Sequence, residues 1–231
     1  MVRSYESVAE LLGTVPCVPP NFVELAWHEA KHTTFAHILG LYVHGASIRD
    51  WRKCGGRTVV DFETTVFRGR RGGSRITRER IDAIDLFLAG PLGAAAYRCL
   101  ESGQSVSFDR LLWHFGDTAR GQGDLDLAVD IASRMTATED KAIRLVDERA
   151  CETAARIADG EPLVQCASVV AGLLLEFREL DGCHLHWALR RTLDGRSLKE
   201  LIPMLQRRLE DPRIGTHVIT GLPARHAWLD R

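Results

Sequence analysis

Apolar residues recur at helical spacing along most of the chain, interrupted by two short stretches with strand character. From Asn21 to Leu39, the positions Leu25, His28, His32, Phe35 and Leu39 follow i, i+3, i+4 intervals, which predicts a long amphipathic helix. Asn21 is suited to cap its start and Gly40 to stop it. Tyr42–Ile48 and Thr58–Phe67 (TVVDFETTVF) read as strands. The turn-rich Lys53-Cys54-Gly55-Gly56 between them predicts a hairpin or a small antiparallel sheet. A second long helix is expected from Thr77 to about Leu100. Gly90-Pro91 should kink or split it, because proline lacks the N–H donor and collides with the preceding turn. Further helices are expected at 123–135, 138–159, 163–180, 184–193 and 198–209, with a short one at 4–12 and a loop-like tail containing Pro212 and Pro223.

The pattern predicts a mainly α fold with a small antiparallel β-sheet (α+β). It divides the chain into an N-terminal segment 1–20, a core 21–160 and a helical C-terminal extension 161–231. Composition narrows this reading without changing it. The 231 residues carry 30 Lys plus Arg against 31 Asp plus Glu, a formal charge of −1, so no basic field favours nucleic acid or an anionic membrane. Leu86–Tyr97 and Cys166–Leu175 are shorter than the ~20 apolar residues of a membrane span. The first residues, MVRSYESVAELLG, have no apolar leader. Six cysteines without a CxxC pair read as free thiols in a reducing, cytoplasmic setting. Cys183-His184-Leu185-His186 lacks a second arm at zinc-finger spacing and reads as a helix start.

Chemistry concentrates in Trp27-His28-Glu29-Ala30-Lys31-His32, which contains HExxH. On a helix, His28 and His32 stand one above the other, so two imidazole nitrogens can converge on one ion. Glu29 projects about 100° away from His28, where its carboxylate can take a proton from water acidified by zinc and return it to a leaving amine. Two histidines within an apolar stripe need partners, and a shared metal supplies both. A catalytic zinc also needs a third protein ligand. HExxHxxGxxH is excluded, since Phe35 stands at the glycine position and Ile38 at the last histidine. A glutamate on a later helix, Glu148 or Glu152, would suit a thermolysin-like site. Asp124 is favoured over both: a helical wheel puts it beside Ala128, Ile131, Ala132 and Met135, opposite Asp126, Asp130 and Ser133. A carboxylate on that apolar side calls for a cation or strong donors, such as the backbone amides of the first turn.

Trp27–Gly40 (WHEAKHTTFAHILG) resembles the metal-binding helix of the peptidase domain of FtsH-type AAA proteases and their shorter stand-alone relatives. The resemblance extends to Leu88-Ala89-Gly90-Pro91 and to Gly123–Ala128 with Asp130–Met135, covering roughly residues 22–155. It implies a zincin-type helical domain with His28, His32 and Asp124 as Zn2+ ligands and Glu29 as catalytic base. It also implies a sheet edge that can receive a peptide as an added strand. Lys31 departs from it, standing where the family usually has glycine. There is no GxxxxGK[ST] loop, so ATP-driven unfolding is not implied.

The expected activity is therefore zinc-dependent endoproteolysis of a peptide or flexible protein, served by a separate unfoldase or aimed at a dedicated protein target. The alternative is a non-catalytic zinc-binding regulatory or scaffold protein of the same fold, against which the intact Glu29 weighs. Other features read more plainly. The arginines of residues 68–80 form a solvated loop, His37 is an outlying or surface group, and His44, His114, Trp187 and Trp228 are packing residues.

Overall fold

The computed structural model describes residues 21–49, 56–60, 74–119 and 123–210. Helix α1 (Phe22–Ile38) starts where the Asn21 side chain accepts the Glu24 N–H at 2.8 Å. It ends at Gly40, whose φ of +73° turns the chain so that the Leu41 N–H closes onto Ala36 O at 2.8 Å. Strands β1 (Val43–Ser47) and β2 (Arg57–Val60) follow, then helices α2 (Ser74–Glu101), α3 (Phe108–Ala119), α4 (Gly123–Ser133), α5 (Glu139–Asp159) and α6 (Glu161–Phe177). Strand β3 (Glu179–Asp181), α7 (Gly182–Leu193) and α8 (Leu198–Glu210) complete the order. The class is the expected one, mainly helical with a small antiparallel sheet.

The sheet runs β2-β1-β3, with Ala46 opposite Thr58 on one side and Leu180 on the other. Helix α2 is the centre of the molecule. Every residue from Ala83 to Ala96 is buried, and α1, α3, α4 and α5 pack around it. By length and composition α2 could cross a membrane, which the shorter apolar runs of the sequence did not indicate, but 83% of its apolar window is buried inside the molecule. Of the expected kink or split at Gly90-Pro91, the split does not occur: one helix passes through it. Pro91 is buried there against neighbours, and packing around the helix offsets the lost N–H bond.

Helix α6 lies along α1, and β3 is the third strand of the sheet. One continuous hydrophobic core therefore joins residues before and after position 160. Two elements go beyond the sequence reading: α3, and the three-residue β3 in place of the end of a longer helix. The expected helix at 4–12, the strand residues 61–67, the arginine loop up to residue 73 and the tail beyond residue 210 lie outside the described residues, whereas Arg78 and Arg80, expected in that solvated loop, stand on α2 with Arg80 buried.

Candidate metal centre

Helix α1 is buried from Glu24 to Ala36, although seven of those residues are polar or charged. Burial on this scale requires a partner for each polar group. Glu24 pairs with Arg98 at 3.0 Å, while Thr33 and Thr34 donate back to the carbonyls of Glu29 and Ala30. Lys31 donates to Leu163 O at 3.1 Å. It therefore points away from the histidines toward α6, and burial lowers its pKa to about 7.

The remaining polar groups of α1 form the site. His28 Nε2 lies 3.0 Å from His32 Nε2, and Asp124 Oδ2 lies 2.8 Å from the first and 3.3 Å from the second. These three donor atoms converge on one point, and this is the one such cluster of three or more His, Cys, Asp or Glu side chains among the described residues. Asp124 reaches it from the first turn of α4, whose Leu125, Ala128, Ile131 and Ala132 are buried. Glu148 is exposed on α5, and Glu152 is occupied by an ion pair with Arg149, so neither joins the cluster.

His32 Nδ1 lies 2.8 Å from Leu86 O. A carbonyl only accepts, so Nδ1 donates to it and Nε2 is left facing His28 and Asp124. A ligand hydrogen-bonded in this way is oriented before any ion arrives. Burial alone would lower the His32 pKa, but the adjacent Asp124 carboxylate outweighs it and raises the value to about 9. For Asp124, burial acts upward and the two imidazoles overcome it, leaving the carboxyl well below the usual range. The carboxylate and the imidazoles thus share a proton that a bound cation would displace.

The donor set fits a metal ion. Ligands at 2.0–2.1 Å around a tetrahedral ion stand about 3.3 Å apart, close to the spacing found here. Gly90 on α2 shapes the cradle: a Cβ there would stand 2.3 Å from His32 Nε2 and 2.6 Å from His28 Nε2. Only a residue without a side chain leaves that space free.

Glu29 is 3% exposed and held by β2. Thr58 Oγ1 donates to its Oε2 at 2.7 Å, and a Cβ on Gly56 would lie 2.2 Å from Oε1. Burial raises the Glu29 pKa above the ordinary carboxylate value, against the pull of His28, His32 and the Thr58 hydroxyl. A raised value suits a group that must exchange a proton near neutrality.

The structure thus brings together His28, Glu29, His32 and Asp124. It adds Thr58, Gly56, Gly90 and the Leu86 carbonyl, none of which the sequence marked as part of a site. The β-branched run containing Thr58 was visible, but its register against Glu29 was not. His37 meets His186 instead of the cluster, and His44 lies edge-on to Tyr42. His114 is half-buried near Arg98 and Asp117, and Trp187 lies beneath Arg208. Trp228 falls outside the described residues. No known family model matches the chain, and no curated protein matches it in sequence.

Proposed function

We propose that this chain is a zinc metalloendopeptidase of the FtsH-peptidase type. The observation that carries the reading is the meeting of His28, His32 and Asp124 from two helices, with the Glu29 carboxylate anchored beside them. Nε2 of each histidine and one Asp124 oxygen would hold the ion. When bound, zinc supplies a Lewis acid and brings the pKa of water close to neutrality.

The protein's own groups do the rest. Thr58 fixes one Glu29 oxygen, leaving the other to accept the proton of the attacking water and deliver it to the departing amine. β2 has no strand on its outer side among the described residues, so its backbone can receive an extended peptide next to Glu29. The substrate class is a peptide or an already flexible protein segment, presented by a separate unfoldase or belonging to a dedicated target. The unpaired Cys99, Cys151, Cys166 and Cys183 suit a reducing, cytoplasmic setting.

Glu29→Gln tests the reading, because it preserves shape and removes the base. With zinc loaded and an unstructured reporter peptide as probe, cleavage should fall by roughly a hundredfold or more while metal content stays the same. Equal cleavage by the variant would reject the peptidase; a wild-type chain that holds zinc and cleaves no peptide would favour the scaffold role.

A further inference from the structure

The last turn of α1 carries an imidazole on a different face from the first cluster. His37 lies five residues beyond His32, about 140° further round the helix. Its Nδ1 is 3.2 Å from Nδ1 of His186 on α7, and the two rings meet at 5.3 Å and 56°. Tyr42 stacks on His186 at 5.4 Å and is braced edge-on by His44 at 4.8 Å. Cys183 lies near the Tyr42 hydroxyl, one turn before His186. Nε2 of His186 is buried without a hydrogen-bond partner, so the ring is oriented with Nδ1 as its one bonding nitrogen, aimed at His37. His184, the other imidazole of Cys183-His184-Leu185-His186, turns inward to Asp181, which also caps α7.

We propose that His37 and His186 form a second, two-imidazole site for a divalent transition ion of the zinc, copper or nickel class. The 3.2 Å separation is that of two nitrogens bound to one tetrahedral ion, about 3.3 Å, and it matches the His28–His32 pair at 3.0 Å. Both rings are only partly buried, so an ion can reach them from solvent. Burial and the Arg190 guanidinium lower the pKa of each, which keeps both lone pairs available near pH 7. With two protein ligands and Arg190 nearby, this site binds more weakly than the first cluster. An ion here ties the end of the metal helix to α7. The site stands independently of the peptidase reading, since it uses no residue of that cluster.

A simple hydrogen bond between the rings is the competing account, and zinc titration of the full chain separates the two. In a His28→Ala/His32→Ala background one zinc should remain, and its affinity should drop at least tenfold when either His37→Ala or His186→Ala is added. The same background should gain about 5 °C in Tm at a hundredfold excess of zinc over Kd, a gain lost with His186→Ala. In the wild-type chain, which needs no variant to fold, the second equivalent of zinc should shift the ring resonances of His37 and His186. Retained affinity without either ring, no zinc in the double-alanine background, or a second equivalent that moves neither resonance overturns the proposal.

Discussion

A methyl group at position 90 would intrude between the two Nε2 atoms of His28 and His32, at 2.3 and 2.6 Å. Gly90→Ala should therefore weaken zinc binding at the first cluster by roughly tenfold or more, the equivalent of about 1–3 kcal/mol of overpacking. Chelator competition measures the loss, with circular dichroism to check that the helices persist; unchanged affinity would show that the cradle is not where the ion sits. Thr58 acts on the neighbouring carboxylate. Thr58→Val removes a hydrogen bond to a charged acceptor, so kcat on a reporter peptide should fall by roughly tenfold or more with KM little changed, and Thr58→Ser should restore it. His28, Glu29, His32 and Asp124 were legible in the sequence because helical periodicity is a local property that fixes which side chains share a face. Gly56, Thr58 and Gly90 were not, because their roles arise only where separate elements approach. A glycine before a proline reads locally as a breaker, and nothing in the chain says which helix will cross it.

Helix α1 is buried on all sides, and Lys31 is the cost most visible in its chemistry. Burial lowers its pKa from 10.5 to about 7, with the nearby Cys166 thiol acting weakly in the opposite sense. Between these values the unfolded chain binds more protons than the folded one, so stability rises with pH from about 7 to about 10, by up to about 1.4 kcal/mol per unit from this group. Lys31→Met, of similar volume, should lose that rise and be as stable as the wild type or more so near pH 7. Urea midpoints across this range decide the point: parallel pH profiles for the two proteins would contradict it. Element boundaries are legible only where a side chain or a pattern marks them. Asn21 and Gly40 announce the ends of α1 through residue type alone, a capping amide and a residue free to adopt positive φ. Leu111, Leu112 and Phe115 of α3 stand at helical spacing in a stretch for which no element was expected, whereas β3 is too short for any period to appear.

At the scale of the molecule, the break at Gly160 looks like a domain boundary in the sequence and is a corner within one core. Gly160 ends α5, and α6 turns back along α1, where Leu163 O receives the Lys31 ammonium or amine. The chain then enters the sheet as β3, with Ile48 N–H donating to Arg178 O at 2.8 Å beside it. Asp85, buried on α2 and gripped by Arg149 and Arg156 of α5, joins the other side and stands next to the Leu86 carbonyl that orients His32. Metal centre and C-terminal helices thus share the same supports. A chain ending at Gly160 would expose the α6-facing side of α1, leave Lys31 without its acceptor and strip β1 of one neighbour. It should therefore lose both cooperative unfolding and zinc binding at the first cluster, although every ligand remains in it. Calorimetry and metal content of residues 1–160 test this together. A sharp transition with zinc retained would make the later helices a separable extension, while loss of both would make them part of the scaffold that holds His28, His32 and Asp124 in position.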